Sequence, residues 1–466
     1  MKKEHHVFFL GGTGVHVAQA MVFACAHGLL SDSRLHLTVL DTDEADAIKK
    51  LKKTVEWYKH LHRQWEKMRE DPIKKKHAGT RFSLFGADIS LTDIPKFLKK
   101  VGEEGNEPNT LRKILTDMRV PRPAYAVLHG IMGDYSFHKE VESGLYANPA
   151  VGAYLLQLEM IRRYSTDETK KEDFRDAIKL SDQKEKVALC ASSFGGTGVA
   201  AAEVMLIEFA PGGGWHQDQM ELGAFLLQPY FRVKPGEANE RWNAGEAENR
   251  HLEAKRHYKS RHDQRARFVA PAHTNPWVRG KYMETKQKNL PDFTEWMAAI
   301  QIAAWLQEEN EEDTLKLSAK MMQACERFYE LATIWTRRFE RAHEHSPMFF
   351  EDFYRKCKNA ECENPNRKDA KPCWHQKGCR EILHNFLNAY FEWYLLSRTE
   401  DFTDADKMKN AIEEAMDPKK ATKNDFEFDN THVVHGKKLW RLAASEGCDG
   451  MEDLFSTLFY ALGRME

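Results

Sequence analysis

The first half of the chain alternates short apolar runs with segments of helical spacing. Apolar runs that alternate with helices are typical of a mostly parallel sheet with helices on both faces. The predicted strands lie in "HVFFL" at 6–10, "RLHLTVL" at 34–40, "TRFSLFGADI" at 80–89, "EKVALCASS" at 185–193, "GAFLLQPYF" at 223–231 and "ARFVAPAHT" at 266–274. The sequence therefore predicts an α/β fold.

The pattern changes near residue 291, after which no strand is predicted. Helical spacing follows over segments 291–345, 379–398, 405–416 and 451–465. We therefore expect an α/β domain over 1–290, a long helix over 291–308 and a mainly helical C-terminal region over 309–466.

A basic insert over about 45–76 interrupts the α/β half. Lysines are interleaved with aromatic residues there, at Lys49, Lys50, Lys52, Lys53, Lys74, Lys75, Lys76, Trp57, Tyr58 and Trp65. Such a helix fits binding of an acidic partner or a nucleic acid. The same pattern is typical of a solvated helix whose aromatic side chains pack inward, and we favour this interpretation.

Composition and charge narrow the class of protein. With 466 residues, 42% apolar residues and a net charge of −2, the chain is long enough for two or three globular domains. It has no general polybasic character for nucleic acid, no run of 18 apolar residues and no signal-peptide cleavage pattern. Eight cysteines in this length do not indicate a disulfide scaffold, so we expect a cytoplasmic protein.

Two glycine-rich corners each stand between a predicted strand and a predicted helix. The first contains Gly11, Gly12, Thr13 and Gly14, and the second contains Gly195, Gly196, Thr197 and Gly198. Without β-carbons, backbone N–H groups can approach phosphate oxygens, and the helix that follows adds free N–H groups and a positive dipole end. Taken singly, either corner fits a purely steric turn equally well.

Familiar phosphate motifs match only in part. Neither corner is followed by the lysine of a P-loop. A dinucleotide-binding fingerprint beginning at Gly12 continues with Gly14 but has Val17 in place of the third glycine. Asp41 stands at the end of the second strand, where a ribose-binding acid would lie. A Rossmann-like NAD-dependent enzyme is thus an open alternative that explains only the first corner.

A third loop, "GLYANPAVG" at 144–152, decides the interpretation. The chain has "GGTG" at 11–14, "DTD" at 41–43, this loop, and "GGTG" again at 195–198. This order resembles the tubulin/FtsZ superfamily, in which a Gly-Leu-…-Asn-Pro-x-Val-Gly loop precedes the glycine-rich tubulin signature. The resemblance covers roughly residues 5–231 and extends more weakly to about 310. The chain is more similar to divergent bacterial tubulin-like proteins than to cytoskeletal tubulin.

The resemblance implies a nucleotide-binding domain over 1–290, a central helix over 291–308, GTP as ligand and Mg²⁺ beside it. Both corners would hold the phosphates, the acids of 41–43 would lie near Mg²⁺ through water, and the loop at 144–152 would line the γ-phosphate. An asparagine and a phenylalanine would recognise the base. The implied residues are Gly11, Gly12, Thr13, Gly14, Asp41, Asp43, Gly144, Ala147, Asn148, Gly195, Gly196, Thr197, Gly198, Asn275 and Phe293.

Some positions depart from the family pattern. Phe194 replaces the first glycine of the signature, and Ala200 replaces its last. The acid that follows the base-stacking residue by one helical turn would fall at Met297, which leaves the base identity open.

Catalysis is where the chain departs furthest. In the family, an Asn-x-Asp-x-x-Asp loop enters the neighbouring subunit's site and orients water, which implies self-assembly into filaments. Here the stretch reads "EENEEDT" at 308–314, with Glu311, Glu312 and Asp313 as candidates. A solvated acidic helix face is the favoured reading of these residues. The function is then either that of a self-assembling GTPase or that of a non-hydrolysing nucleotide-sensing scaffold with a protein partner.

The cysteines add one candidate metal site. Cys357, Cys362, Cys373 and Cys379 occupy a polar, proline-containing stretch where zinc would supply stability. Free surface thiols are the alternative. Cys25, Cys190 and Cys325 lie in apolar patterns and are predicted to be small core residues.

Overall fold

The computed structural model describes residues 2–31, 33–41, 46–69, 85–93, 110–117, 121–138, 152–153, 156, 186–211, 220–233, 244–262, 264–281, 288–307, 312–314, 316–319, 385–386, 389–390, 392–394, 396–397, 399–400, 403, 405 and 407. The strands are β1 (Lys3–Leu10), β2 (Ser33–Leu40), β3 (Asp88–Asp93), β4 (Lys186–Ser192), β5 (Glu221–Leu227), β6 (Phe231–Val233), β7 (Ala266–Val269), β8 (Trp277–Lys281) and β9 (Lys288–Asn289). The helices are α1 (Gly11–Ala26), α2 (Asp46–Arg69), α3 (Leu111–Asp117), α4 (Arg122–His138), α5 (Thr197–Glu208), α6 (Ala244–His262) and α7 (Phe293–Gln307).

Six parallel strands form the central sheet in the order β3-β2-β1-β4-β5-β7. Successive side chains of a strand point to opposite faces. In β1, Val7 and Phe9 enter the core on one face, whereas Phe8 and Leu10 enter the core on the other. Both faces are apolar because helices cover both, which confirms the predicted α/β fold with a mostly parallel sheet.

The two faces are covered by different helices. Buried residues of α1, α2 and α7 share one core with the described residues of 385–397, which are helical. Buried residues of α5 and α6 form the core on the opposite face. α1 is apolar on nearly every side because it is buried between the sheet, α2 and α7.

Aromatic packing fixes the 385–397 segment to the α/β domain. The ring of Phe23 in α1 lies 5.6 Å from Phe386, 5.3 Å from Tyr390 and 6.0 Å from Trp393, centroid to centroid. Such tilted and edge-on pairs are favourable beyond their buried area. The described part of the C-terminal region therefore packs directly on α1.

Several predicted elements agree with the structure in position and character. α7 occupies Phe293–Gln307 within the predicted 291–308, and α2 is the helix of the basic insert. Tyr58 of α2 is buried and donates a hydrogen bond to the Ala87 carbonyl, as expected for aromatics that pack inward. Cys25 and Cys190 are buried core residues, whereas Cys325 lies outside the described residues.

Other elements differ from the expectation. The predicted third strand at 80–89 begins only at Asp88. The predicted last strand is not the last, because β8 and β9 follow it and form a small second sheet with β6. No described helix has both the length and the apolar character needed to cross a membrane.

Candidate functional site

The two glycine corners meet at the carboxyl edge of the sheet. Since β1 and β4 are neighbours, with Leu10 paired to Ala191, the chain leaves both strands at the same level. A β-carbon on Gly11 would lie 3.0 Å from the backbone nitrogen of Gly198. Gly11 has a φ of +72°, a conformation that side chains with a β-carbon rarely adopt.

Two helices begin at this meeting point without a side-chain cap. α1 starts after extended Leu10, and α5 starts after Gly196, and neither preceding residue bonds the first turn with its side chain. Neither first turn contains an acidic residue. The first N–H groups of a helix have no intrahelical partner. The first-turn amides of α1 and α5 and the positive ends of both helix dipoles therefore point to the same place.

The glycines of this site differ in the space around them. A β-carbon on Gly14 would lie 2.6 Å from the Phe9 carbonyl carbon, and one on Gly198 would lie 2.9 Å from the Leu10 oxygen. These glycines allow the helices to pack tightly on the strands. Among the atoms of the described residues, a β-carbon on Gly12 would meet only Asp41 Oδ2, at 3.7 Å, and Gly12 is exposed. The open space of the site is therefore above Gly12.

A buried serine and histidine hold the second corner in place. The backbone N–H and the hydroxyl of Ser193 both lie 2.8 Å from the Leu227 carbonyl oxygen. The same hydroxyl lies 2.8 Å from Nδ1 of His251, on α6. Burial lowers the pKa of His251, so its neutral ring donates from Nδ1 to the Ser193 oxygen. The corner is thus tied to the end of β5 and to α6.

Tyr230, just beyond β5, links both corners to α7. Its hydroxyl lies 2.6 Å from Glu295 Oε1 and 3.4 Å from Thr13 Oγ1. The phenol has one proton, and the carboxylate is the stronger acceptor, so the Thr13 hydroxyl donates to the phenol oxygen. The Phe194 ring packs edge-on against Tyr230, with the ring centroids 6.1 Å apart. This packing explains why an aromatic residue replaces the expected glycine at position 194.

Glu295 is buried and fully engaged. Besides Tyr230, it lies 3.1 Å from Nδ1 of His16 and accepts a bond from the Asp292 backbone N–H at 2.9 Å. The Asp292 carboxylate in turn accepts the Thr294 N–H at 2.8 Å. Asp292 and Glu295 thereby form a reciprocal capping box at the start of α7.

Buried Arg279 connects this cap to the C-terminal region. Its Nε pairs with the Asp292 carboxylate, and its other nitrogens donate to the carbonyls of Pro291, Leu396 and Ser397 at 2.6–2.8 Å. Burial raises the pKa of Asp292 to about 6, although the Arg279 charge opposes this shift. One guanidinium therefore joins the start of α7 to the end of the 385–397 segment.

Asp41 follows β2 and lies beside the first corner, with its Oδ2 atom 3.7 Å from the position of a β-carbon on Gly12. Mg²⁺ in nucleotide sites is bound by one or two carboxylates together with phosphate oxygens and water. A single carboxylate next to the open space above Gly12 fits that requirement. Among the described residues, no three His, Cys, Asp or Glu side chains form a group able to hold a metal by themselves.

The proposed base-recognition residues lie on neighbouring segments. Asn275 is exposed between β7 and β8, and Phe293 is half-buried at the first position of α7. The Ala272 N–H donates to Thr294 Oγ1 at 2.9 Å, which ties that loop to the start of α7.

Of the remaining predicted site residues, the structure describes Glu312 and Asp313. Glu312 is exposed and forms an ion pair with Lys316 at 2.7 Å, as on an ordinary solvated helix face, and Asp313 beside it is also exposed. Predicted site residues outside the described part of the chain are Asp43, Gly144, Ala147, Asn148, Glu311, Cys357, Cys362, Cys373 and Cys379.

Sequence reasoning missed the polar residues that support the corners. His16, Tyr230, Glu295 and Arg279 were not singled out by any motif. The spacing of Asp292 and Glu295 before an apolar helix is a capping-box signal and could have identified that pair. Contacts such as Arg279 with Leu396, 117 positions apart, leave no local signal.

Comparison with protein-family models, with curated proteins and with solved structures finds no match to this chain. The functional interpretation therefore depends on the site itself and on the motif order in the sequence. In the described part of the chain, two glycine-rich helix N-termini without side-chain caps meet at the carboxyl edge of the sheet, and the Asp41 carboxylate lies beside Gly12.

Proposed function

We propose that this chain is a tubulin/FtsZ-like protein that binds the phosphates of a nucleotide, GTP in preference to others, between the N-termini of α1 and α5. The observation that carries the proposal is the contact of the two uncapped corners, where Gly11 and Gly198 leave no room for a β-carbon. Two helix dipoles and the first-turn amides of two helices, directed at one point, favour a multiply charged anion.

The position of the two corners in the sheet supports the same conclusion. In open α/β sheets, ligands bind outside the carboxyl ends of the strands, where the strand order reverses. Here that reversal lies between β1 and β4. Bound Mg²⁺ would offset phosphate charge, and Asp41, whose carboxylate lies beside Gly12, would orient its water.

Titration with different nucleotides tests the proposal. We expect saturable, Mg²⁺-dependent binding of GTP by isothermal titration calorimetry, with weaker binding of ATP and still weaker binding of NAD⁺. Preference for GTP over ATP tests the base assignment, and preference for triphosphates over NAD⁺ tests the site. If none of these ligands binds at millimolar concentration, the proposed function is wrong.

A second candidate function, an NAD-dependent enzyme, is favoured by one specific observation. The parallel order β3-β2-β1-β4-β5 is that of dinucleotide-binding folds, and Asp41 follows β2 where a ribose-binding acid stands in those folds. This candidate does not account for the uncapped second corner. It becomes the preferred function if NAD⁺ binds more tightly than every triphosphate in the same titration.

We further propose that hydrolysis of the bound nucleotide depends on self-association. Within one chain, Glu295 is committed to Tyr230, His16 and Asp292, so it is not available to orient water. A carboxylate from a neighbouring subunit would complete the site, and such head-to-tail contacts propagate into filaments unless they close. Glu312 and Asp313 are the described candidates to supply that carboxylate.

The dependence of turnover on protein concentration tests this step. We expect specific GTPase activity to rise with protein concentration and to fall in Glu312→Ala/Asp313→Ala. Activity that stays constant over a wide dilution range would contradict a shared site. Assembly in light scattering without phosphate release would favour the non-hydrolysing scaffold.

A further inference from the structure

His16 lies on the open side of the candidate site. It follows Gly12 by four residues in α1, so the two positions share one face of the helix. Side chains on a helix lean toward its N-terminus and cover the preceding turn. The imidazole therefore leans toward the space above Gly12, where Asp41 Oδ2 is the one atom of the described residues within 4 Å of a β-carbon position on Gly12.

One ring nitrogen of His16 is fixed and the other is available. Nδ1 lies 3.1 Å from Glu295 Oε1, and the side chain keeps 12% of its surface exposed. Nε2 has no hydrogen-bond partner recorded within the described residues. Since Nδ1–H donates to the carboxylate, a protonated ring presents Nε2–H as a second donor.

The charges around His16 favour the protonated ring. Burial alone would lower the pKa of His16, but the Glu295 carboxylate on α7 outweighs it and the pKa is raised. Lys50 on α2 acts against protonation, and Asp41 after β2 acts for it. Glu295 also accepts a hydrogen bond from the Tyr230 hydroxyl. Burial and this carboxylate raise the pKa of Tyr230, so the phenol keeps its proton and stays neutral.

We propose that His16 is a ligand-facing cation of this site, whose imidazolium, held through Nδ1 by Glu295, donates Nε2–H to a phosphate oxygen above Gly12. This inference rests on the proposed nucleotide site and adds regulation by pH to it. An anion beside Nε2 stabilises the charged ring, so binding and protonation favour one another. The affinity falls as pH rises through the pKa of His16, because the ring then loses its second donor and its charge.

The test compares wild type with His16→Gln in titrations with Mg·GTP and with inorganic triphosphate between pH 6 and pH 9. Repeating each titration in buffers of different ionisation enthalpy gives the number of protons taken up. We expect wild type to take up protons on binding, and His16→Gln to lose this uptake. At pH 6.5 the affinity of the variant should be roughly tenfold lower than that of wild type. At high pH the affinities of the two proteins should become equal.

His129→Gln on α4 is the matched control. His129 is a more exposed histidine that pairs with Asp134 on its own helix, so its loss should change neither the affinity nor the proton uptake. Deprotonation of the ligand's own phosphates is common to all three proteins and cancels in the comparison.

Each outcome bears on one claim. If wild type binds Mg·GTP without proton uptake, or if His16→Gln keeps the same uptake, the role of His16 is wrong while the nucleotide site stands. Uptake with Mg·GTP but none with inorganic triphosphate overturns the contact with phosphate. If no probe binds at any pH, the proposed function fails together with this inference. If His16→Gln does not fold, the proton uptake of wild type on binding decides the role of His16 by itself.

Discussion

The variant Gly12→Val is expected to fold normally and to lose at least roughly a hundredfold in affinity for Mg·GTP. A β-carbon at this position would meet only Asp41 Oδ2 at 3.7 Å, so the protein itself has room for a larger side chain. The isopropyl group would occupy the space where we place the phosphates. It would separate the phosphates from the first amides of α1. The loss of two charge-assisted hydrogen bonds accounts for the expected decrease in affinity.

The choice of Gly12 rather than Gly198 follows from the packing. A β-carbon on Gly198 would stand 2.9 Å from the Leu10 oxygen, so Gly198→Val would push α5 away from β1 whether or not a ligand binds there. Loss of binding in that variant would not distinguish a blocked site from a distorted one.

Gly130→Val in α4 is the control for Gly12→Val, since a β-carbon there meets no atom within 4 Å. It should bind Mg·GTP as wild type does. Both variants are checked for folding by circular dichroism and thermal unfolding before the titrations. If Gly12→Val is folded and binds with wild-type affinity, the phosphates do not lie above Gly12.

The second large effect is expected at Arg279. Replacing Arg279 with methionine should destabilise the protein by about 3–5 kcal/mol, because it leaves a buried carboxylate without its partner. Arg279 and Asp292 are both fully buried, and the carbonyls of Leu396 and Ser397 would also lose their donor. Urea unfolding measures the loss of stability. Hydrogen exchange should show loss of protection near residues 396–399 before the rest of the chain.

Two further variants control the Arg279 experiment. Arg34 forms ion pairs with Glu4 at 2.7 Å and Asp88 at 3.2 Å but is about half exposed, so Arg34→Met should cost less than about 1 kcal/mol. The double variant Arg279→Met/Asp292→Asn removes both charges and should recover part of the lost stability. If Arg279→Met costs no more than Arg34→Met, the buried ion pair does not hold the 385–397 segment.

The central sheet could be predicted because its strands follow the simplest pattern. β1, β4 and β5 are buried on both faces over most of their length, so they read as apolar runs beside turn residues, whereas β2 is buried throughout only over its second half. The same reasoning located α1 and α7, whose buried faces are wide. The positions of the two glycine corners followed from these elements, since each corner stands between a strand and a helix.

Elements with little apolar surface were harder to predict. α6 lies in a stretch of the sequence that is mostly charged, and only one stripe of it, at Ala247, His251, Ala254 and Tyr258, is buried. β8 and β9 have five and two residues, too few for an alternating pattern to emerge. Their pairing is determined by tertiary contacts.

The glycines of the candidate site were predicted from the sequence, but the aromatic and charged residues that support them were not. Phe194 looked like a defect in a glycine signature, yet it packs against Tyr230 and Phe231. Glu295 connects residues from α1, the end of β5 and α7, and such a connection depends on the fold rather than on local sequence. The acidic stretch at 308–314 was predicted with two interpretations, and the Glu312–Lys316 pair agrees with the solvated-face interpretation.

The most direct test of the nucleotide site is an experimental structure of this chain with Mg²⁺ and a non-hydrolysable GTP analogue. The account predicts phosphate oxygens within about 2.7–3.2 Å of first-turn amide nitrogens of both α1 and α5, with the β-phosphate or γ-phosphate above Gly12. A nucleotide bound elsewhere, or one whose phosphates touch only one of the two corners, would contradict it.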